Sequence, residues 1–250
     1  MKPLKLIRTK FLNRRVEVCI YDKDGDYLMA IADGMGGLSK GELASATVVR
    51  AFSSWFDEKL EQHIQHWNGQ IVADEINDLL LKLNEKILEY GKNHAAELGT
   101  TVTMALFVKD ELIVCHVGDT RLYCINSTQT VIELQQITED QTFIAREMKL
   151  GRMTLEQAMV HPKRNALLQC VGASSQIEPD VMLIKSKPGM YMMCSDGFRH
   201  VLTEQEIISN VMNTKGLSKE AKSALVGQMI HLVKSRGERD NISSIIIEVE

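Results

Sequence analysis

The sequence predicts an α+β fold in which antiparallel sheets are covered by pairs of helices. Short apolar runs are separated by tight-turn residues such as Asp24-Gly25, Lys109-Asp110 and Gly118-Asp119. Runs joined this closely are antiparallel neighbours, because a parallel pair needs a crossover of roughly a dozen residues or more. Helical periodicity comes in blocks: two long helices, then short ones, then another pair. Strands and helices therefore do not alternate one by one as they would around a parallel sheet.

The elements follow in order. Leu4 to Lys10, Val16 to Tyr21 and Tyr27 to Ala32 read as strands, the last two joined by the hairpin signal Asp24-Gly25. Asp22, Asp24 and Asp26 invite a calcium-loop reading, which fails because the sharp-turn Gly falls out of register. Ser39-Lys40-Gly41-Glu42 is a capping box, and Ala44, Val48, Ala51, Phe52, Trp55, Phe56 and Leu60 form one face of the helix it opens. Asn68-Gly69 breaks that helix. A second follows with Val72, Ile76, Leu79, Leu83 and Ile87 at helical steps, ending before Gly99. Thr101 to Val108, Leu112 to Val117, Arg121 to Ile125 and Thr130 to Leu134 are strands. Thr138 to Gln141 reads as a capping box for a helix reaching Leu150, with Gln141 in its third position. Thr154 to Gln157 opens another helix, stopped by His161-Pro162. Val181 to Lys185 and Met190 to Cys194 are strands. Thr203 to Glu206 caps a helix, Ser218 to Ser235 forms a further one, and Ile242 to Val249 closes the chain as a strand.

At 250 residues, with 44% hydrophobic and 25% charged residues, the chain fits one globular domain, 1–250. A net charge of -4 argues against a general nucleic-acid binder. No apolar run reaches the roughly 18 residues of a membrane span. Met1 to Asn13 lacks the apolar core of a signal peptide, so a cytoplasmic protein is expected. Cys19, Cys115, Cys124, Cys170 and Cys194 show no paired spacing and read as reduced core residues.

Four aspartates share one setting. Asp33 ends the run Tyr27 to Ala32 and is followed by Gly34-Met35-Gly36-Gly37. Asp119 follows Val117-Gly118, Asp196 follows Cys194-Ser195, and Asp240-Asn241 precedes the last strand. Each alone also reads as a turn or cap residue. Together, carboxylates at strand ends would repel one another unless cations neutralise them. No His or Cys keeps consistent company with them, and all-oxygen ligands suit Mg²⁺ or Mn²⁺ rather than Zn²⁺.

Asp33-Gly34-Met35-Gly36-Gly37, Gly99-Thr100-Thr101, Val117-Gly118-Asp119-Thr120-Arg121, His161-Pro162 with Asn165, Cys194-Ser195-Asp196-Gly197 and Asp240-Asn241-Ile242-Ser243 occur in this order. From about Leu6 to Val249 the chain thereby resembles the metal-dependent Ser/Thr protein phosphatases of type 2C (PPM) in their compact bacterial form. The resemblance implies a sandwich of two antiparallel β-sheets flanked by helix pairs, with a flap at about 142–175. It implies that Asp33 bridges two Mn²⁺ or Mg²⁺ ions, that Gly34 offers its carbonyl, and that Asp196 and Asp240 complete the centre. Asp119 with Asp196 would hold a third, weaker ion. Arg15 would contact the phosphate, with Arg14 as its competitor. The implied activity is hydrolysis of phosphoserine and phosphothreonine by a metal-activated water, reversing a Ser/Thr kinase. The implied partners are phosphorylated proteins, and a monomer is the expected state.

The sequence departs from the family pattern at three places. The usual Asn-Glu-Asp triplet is replaced by Val18-Cys19-Ile20, with Glu17 and Asp22 as candidate substitutes from a shifted register. Met35 stands where some members have His, and Met donates no proton. Gln141 stands where an Asp-His pair is usual, and its place in the capping box gives it a local role. The lost triplet motivates an alternative: a catalytically weak member that binds phosphoproteins as a regulatory module.

Overall fold

The computed structural model describes residues 5–10, 16–23, 25–35, 40–127 and 132–249. The strands are β1 (Lys5–Lys10), β2 (Val16–Lys23), β3 (Asp26–Asp33), β4 (Val102–Val108), β5 (Glu111–Val117), β6 (Arg121–Ser127), β7 (Ile132–Gln136), β8 (Asp180–Lys185), β9 (Gly189–Cys194) and β10 (Ser243–Val249). The helices are α1 (Gly41–Ile64), α2 (Gly69–His94), α3 (Phe143–Lys149), α4 (Leu155–Val160), α5 (Asp196–Arg199), α6 (Glu204–Met212) and α7 (Lys219–Ser235). Each strand read from the sequence is present.

The strands form two five-stranded antiparallel sheets, ordered β1-β10-β9-β6-β7 and β2-β3-β4-β5-β8. Strand alternation divides their side chains among three cores. Tyr27, Met29 and Ile31 of β3 face Tyr191, Met193, Ile245 and Ile247 between the sheets. Leu28, Ala30 and Ala32 point the other way, onto Phe52, Phe56, Ile76 and Leu80 of α1 and α2. On the far side, Met192, Cys194 and Ile246 pack on Ile207, Val211, Met229 and Val233 of α6 and α7. The result is an α-β-β-α stack. All five cysteines are free and buried.

Caps set most helix starts. Asn68 accepts from the Gln70 and Ile71 N–H groups, and Thr154 and Thr203 form capping boxes with Gln157 and Glu206. Ser39 lies outside the described residues. The expected Thr138 box is corrected: α3 begins at Phe143 and is capped by Thr142, whose hydroxyl accepts from the Ala145 N–H. The Thr138 hydroxyl instead accepts from the Leu122 N–H, so a sheet contact overrides the local capping signal. The short helix α5, directly after β9, gave no periodicity to read.

Two candidate substitutes for the missing triplet are also placed. Glu17 pairs with Ala32, so it lies on the helix-facing side of the sheet, opposite to Asp33. Asp22 pairs with Tyr27, six residues and about 20 Å along the strand from Asp33. Val18 is buried between the sheets and Cys19 beneath the helices. Neither acid lies at the Asp33 end of the face between the sheets.

Candidate metal centre

The register brings the aspartate-bearing turns to one end of the sandwich. Asp33 ends β3 on the face between the sheets, two residues beyond Ile31. Its N–H donates to the Thr101 hydroxyl (3.3 Å), and its carbonyl accepts from the Thr101 N–H (2.9 Å). Gly34 bridges to Thr100, but the bonds run through its neighbours: Met35 N–H donates to the Gly99 carbonyl. Neither bond uses the Gly34 carbonyl.

Gly118 crosses directly over Thr101. Its φ is +112°, and a Cβ there would meet the Thr101 Cβ at 2.6 Å, so glycine is required on both counts. The chain passes here from β5 in one sheet to β6 in the other, carrying Asp119 between them. In β6, Arg121 pairs with Cys194, which pairs in turn with Ser244. Asp196 and Asp240 therefore continue from the same row of the second sheet. The Ser195 hydroxyl donates to the Asn241 carbonyl (3.0 Å) and accepts from the Ser243 N–H (3.1 Å), which ties the two aspartate turns together.

The electrostatics reflect this crowding. Burial pushes the Asp119 carboxyl up to about 7, with the Asp196 charge adding to the effect. Burial also raises Asp196, and Asp240 raises it further against the pull of His200. Local donors hold these carboxylates apart. Asp196 Oδ1 accepts from the Gly197 N–H (2.7 Å), and Asp240 Oδ1 accepts from the Asn241 N–H (2.7 Å). Among the described residues no three His, Cys, Asp or Glu side chains form a finished cage for one ion. What the centre offers is a set of carboxylates at strand ends, of which Asp33, Asp119 and Asp196 are half-buried and Asp240 is exposed. Hard divalent cations fit that donor set.

Sequence reasoning missed the charged frame around Asp119. Arg121 donates to both Asp140 oxygens (2.6 Å each), and Arg199 donates to Asp140 Oδ2 (3.3 Å). Burial alone would raise Asp140, but Arg121 and Arg199 hold it below the usual carboxylate range. The available signal was an Arg placed one helical turn after Asp196. It also missed a buried network: His116 bonds Thr103 through Nδ1 (2.9 Å) and the Glu139 carbonyl through Nε2 (3.1 Å), and Thr103 meets Thr120 (2.7 Å). Burial lowers the pKa of His116, whose ring lies beneath the Asp119 turn.

Gln141 is not a helix-capping residue. Its Oε1 accepts from the Gly118 N–H (2.8 Å) and from Gln169 Nε2 (2.9 Å), while its own N–H donates to the Gly118 carbonyl (2.7 Å). It thus joins the Asp119 turn to the segment 142–175. That segment carries α3 and α4 and returns to the sheet through the Val171 to Thr100 bridge. A cavity of about 780 Å³ opens between them, with Asp119 and Asp240 on one wall and Ile144, Met148, Leu155 and Met159 on the other. Arg14 and Arg15 lie outside the described residues.

Residues 17–225 match the Protein phosphatase 2C family model. A serine/threonine phosphatase stp of Listeria welshimeri is 28% identical over 234 residues, which span 91% of this chain and 86% of that protein. The serine/threonine protein phosphatase PstP of Mycobacterium tuberculosis is 29% identical over 235 residues, 90% of this chain and 41% of that protein. The structure of the S. agalactiae serine/threonine phosphatase is similar with a TM-score of 0.83 and 26% identity, over 99% of both chains. The catalytic domain of PstP in complex with two manganese ions has the same fold, with a TM-score of 0.75 and 24% identity over 98% of this chain and 96% of that one. With the family model matched over most of its length, this chain belongs to the protein phosphatase 2C family.

Proposed function

We propose that the chain is a metal-dependent phosphatase that removes phosphate from phosphoserine and phosphothreonine in proteins, reversing a Ser/Thr kinase. The observation that carries this reading is the gathering of Asp33, Asp119, Asp196 and Asp240 at one end of the sandwich by strand register and the Gly118 crossing. Its relatives named as serine/threonine phosphatases support it.

Asp33, Asp196 and Asp240, with the Gly34 carbonyl, would hold two Mn²⁺ or Mg²⁺ ions; the manganese in the PstP structure favours Mn²⁺. Bound there, the ions would supply Lewis-acid binding of phosphate and a water of lowered pKa. The chain's own residues do the rest. The β-strand ends fix the carboxylates, and Gly197 and Gly118 let their turns approach. The family resemblance assigns Arg15 the role of the cation that meets the phosphate. Met35 supplies no proton, and every cysteine is buried, so no side-chain nucleophile is invoked. The apolar wall of the cavity suits a polypeptide substrate. Among the described residues no helix is long and apolar enough to cross a membrane.

The test is release of inorganic phosphate from a phosphothreonine peptide. Release in Mn²⁺ that stops with chelator is expected, and Arg15→Ala raises KM more than it lowers kcat. Tight peptide binding with no release at any metal concentration would establish the regulatory-module alternative, which the apolar Val18-Cys19-Ile20 motivates.

A further inference from the structure

The family resemblance assigns Asp119 a third cation, but a positive charge from the chain itself already stands there. Arg199 lies at the end of α5, one helical turn beyond Asp196. Its Nη2 donates to the Asp119 carbonyl (3.3 Å) and lies 3.9 Å from Asp119 Oδ2. The same nitrogen donates to Asp140 Oδ2 (3.3 Å). Asp140 is itself clamped by Arg121 through both oxygens, so the guanidinium is held from two sides. The Arg199 side chain is only 15% exposed, and its Nε is buried without a hydrogen-bond partner. A buried donor is left unsatisfied while Nη2 alone reaches both Asp119 and Asp140. That arrangement favours a fixed charge over a mobile surface arginine.

A divalent ion bound to Asp119 would sit about 2–2.6 Å from its oxygen. It would then face the guanidinium across a few ångströms at the cavity wall, where both side chains are only 15% exposed and like charges are only partly screened. Arg199 already answers the need for positive charge at the Asp119 turn. We propose that Arg199 is a built-in counter-cation at Asp119 that takes the place of a third metal ion, so that the centre binds two ions and no more. This inference rests on the two-ion reading of Asp33, Asp196 and Asp240.

Arg199 is a positioning residue, and its role is read by counting ions rather than by activity. Bound Mn²⁺ is measured by equilibrium dialysis against millimolar Mn²⁺ for wild type, Arg199→Met, Arg199→Lys and the double variant Arg199→Met, Asp119→Asn. Wild type binds two, Arg199→Met gains one, Arg199→Lys stays at two, and the double variant returns to two. A purely structural arginine would give no gain. Three ions on wild type, or no gain in Arg199→Met, overturns the proposal. Arg199→Gln serves for the same count should the Met variant fail to fold. Fewer than two ions on wild type contradicts the two-ion reading, while the gain of one ion on removing Arg199 still decides the role of Arg199.

Discussion

Gly197 and Asn241 are in such close approach that a Cβ on Gly197 would lie 2.5 Å from the Asn241 carbonyl oxygen and 3.2 Å from the Asp240 Cβ. The glycine of one turn is what allows the two aspartate turns to approach this closely. Gly197→Ala must push the Asp240 turn away. A displacement near 1 Å at a reacting centre costs about 10²-fold. Turnover of p-nitrophenyl phosphate in Mn²⁺ is expected to fall by about that factor, with a lowered Tm. Wild-type turnover would show that Asp240 tolerates displacement.

Gln141→Ala removes the acceptor shared by Gly118 and Gln169, leaving a Gly118 N–H without its partner. An unsatisfied buried donor costs about 1–3 kcal/mol. The variant is expected to melt earlier and to be cut faster by protease within 142–175, since that segment loses its tie to the Asp119 turn. Unchanged melting and cleavage would return Gln141 to a local role.

These two residues show what the sequence could disclose. Strands and long helices were legible because apolar alternation and helical stripes are local patterns, and Thr154 and Thr203 cap where expected. The aspartates were legible because each ends or precedes an apolar run. Gln141 was misread because its partners come from β5 and from the segment after α4, and Thr138 was drawn away by Leu122. Arg199 and Asp140 were missed for the same reason: they lie 59 residues apart and meet only through the pairing of β6 with β9. The face of Glu17 and the distance of Asp22 from Asp33 became readable only once the register was fixed.

On the opposite flank, Lys222 is fully buried and donates to Glu248 Oε2 (2.8 Å), which also accepts from the Gly216 N–H (3.0 Å). Burial raises the Glu248 carboxyl, but Lys222 and Gly216 outweigh it and leave its pKa below the usual value. A depressed carboxylate stabilises the fold above its unfolded pKa, and this contribution is lost as pH falls through the folded pKa. Glu248→Gln leaves a buried ammonium and is expected to cost about 3 kcal/mol at pH 7. The gap to wild type should narrow in denaturant titrations below about pH 4. A constant gap across that range would contradict the assignment.

The thiols should be silent. Burial pushes Cys115 and Cys194 up to about 12, and all five cysteines are buried. A thiol with so little thiolate is a poor nucleophile. Native protein at pH 7.5 is expected to resist iodoacetamide and to keep its phosphatase activity, with five thiols alkylated only after denaturation. Rapid inactivation of the native protein would point to a cysteine in the chemistry.

The central claim is that aspartates from both sheets form one metal centre for phosphate hydrolysis. It is tested most directly by titrating Mn²⁺ into wild type and Asp196→Asn while following p-nitrophenyl phosphate hydrolysis. Wild type should be inactive in chelator and saturate with Mn²⁺. Asp196→Asn should lose about 10³-fold at saturation, the several kcal/mol that metal stabilisation of the transition state supplies. Metal-independent turnover in wild type, or equal turnover in Asp196→Asn, would contradict it.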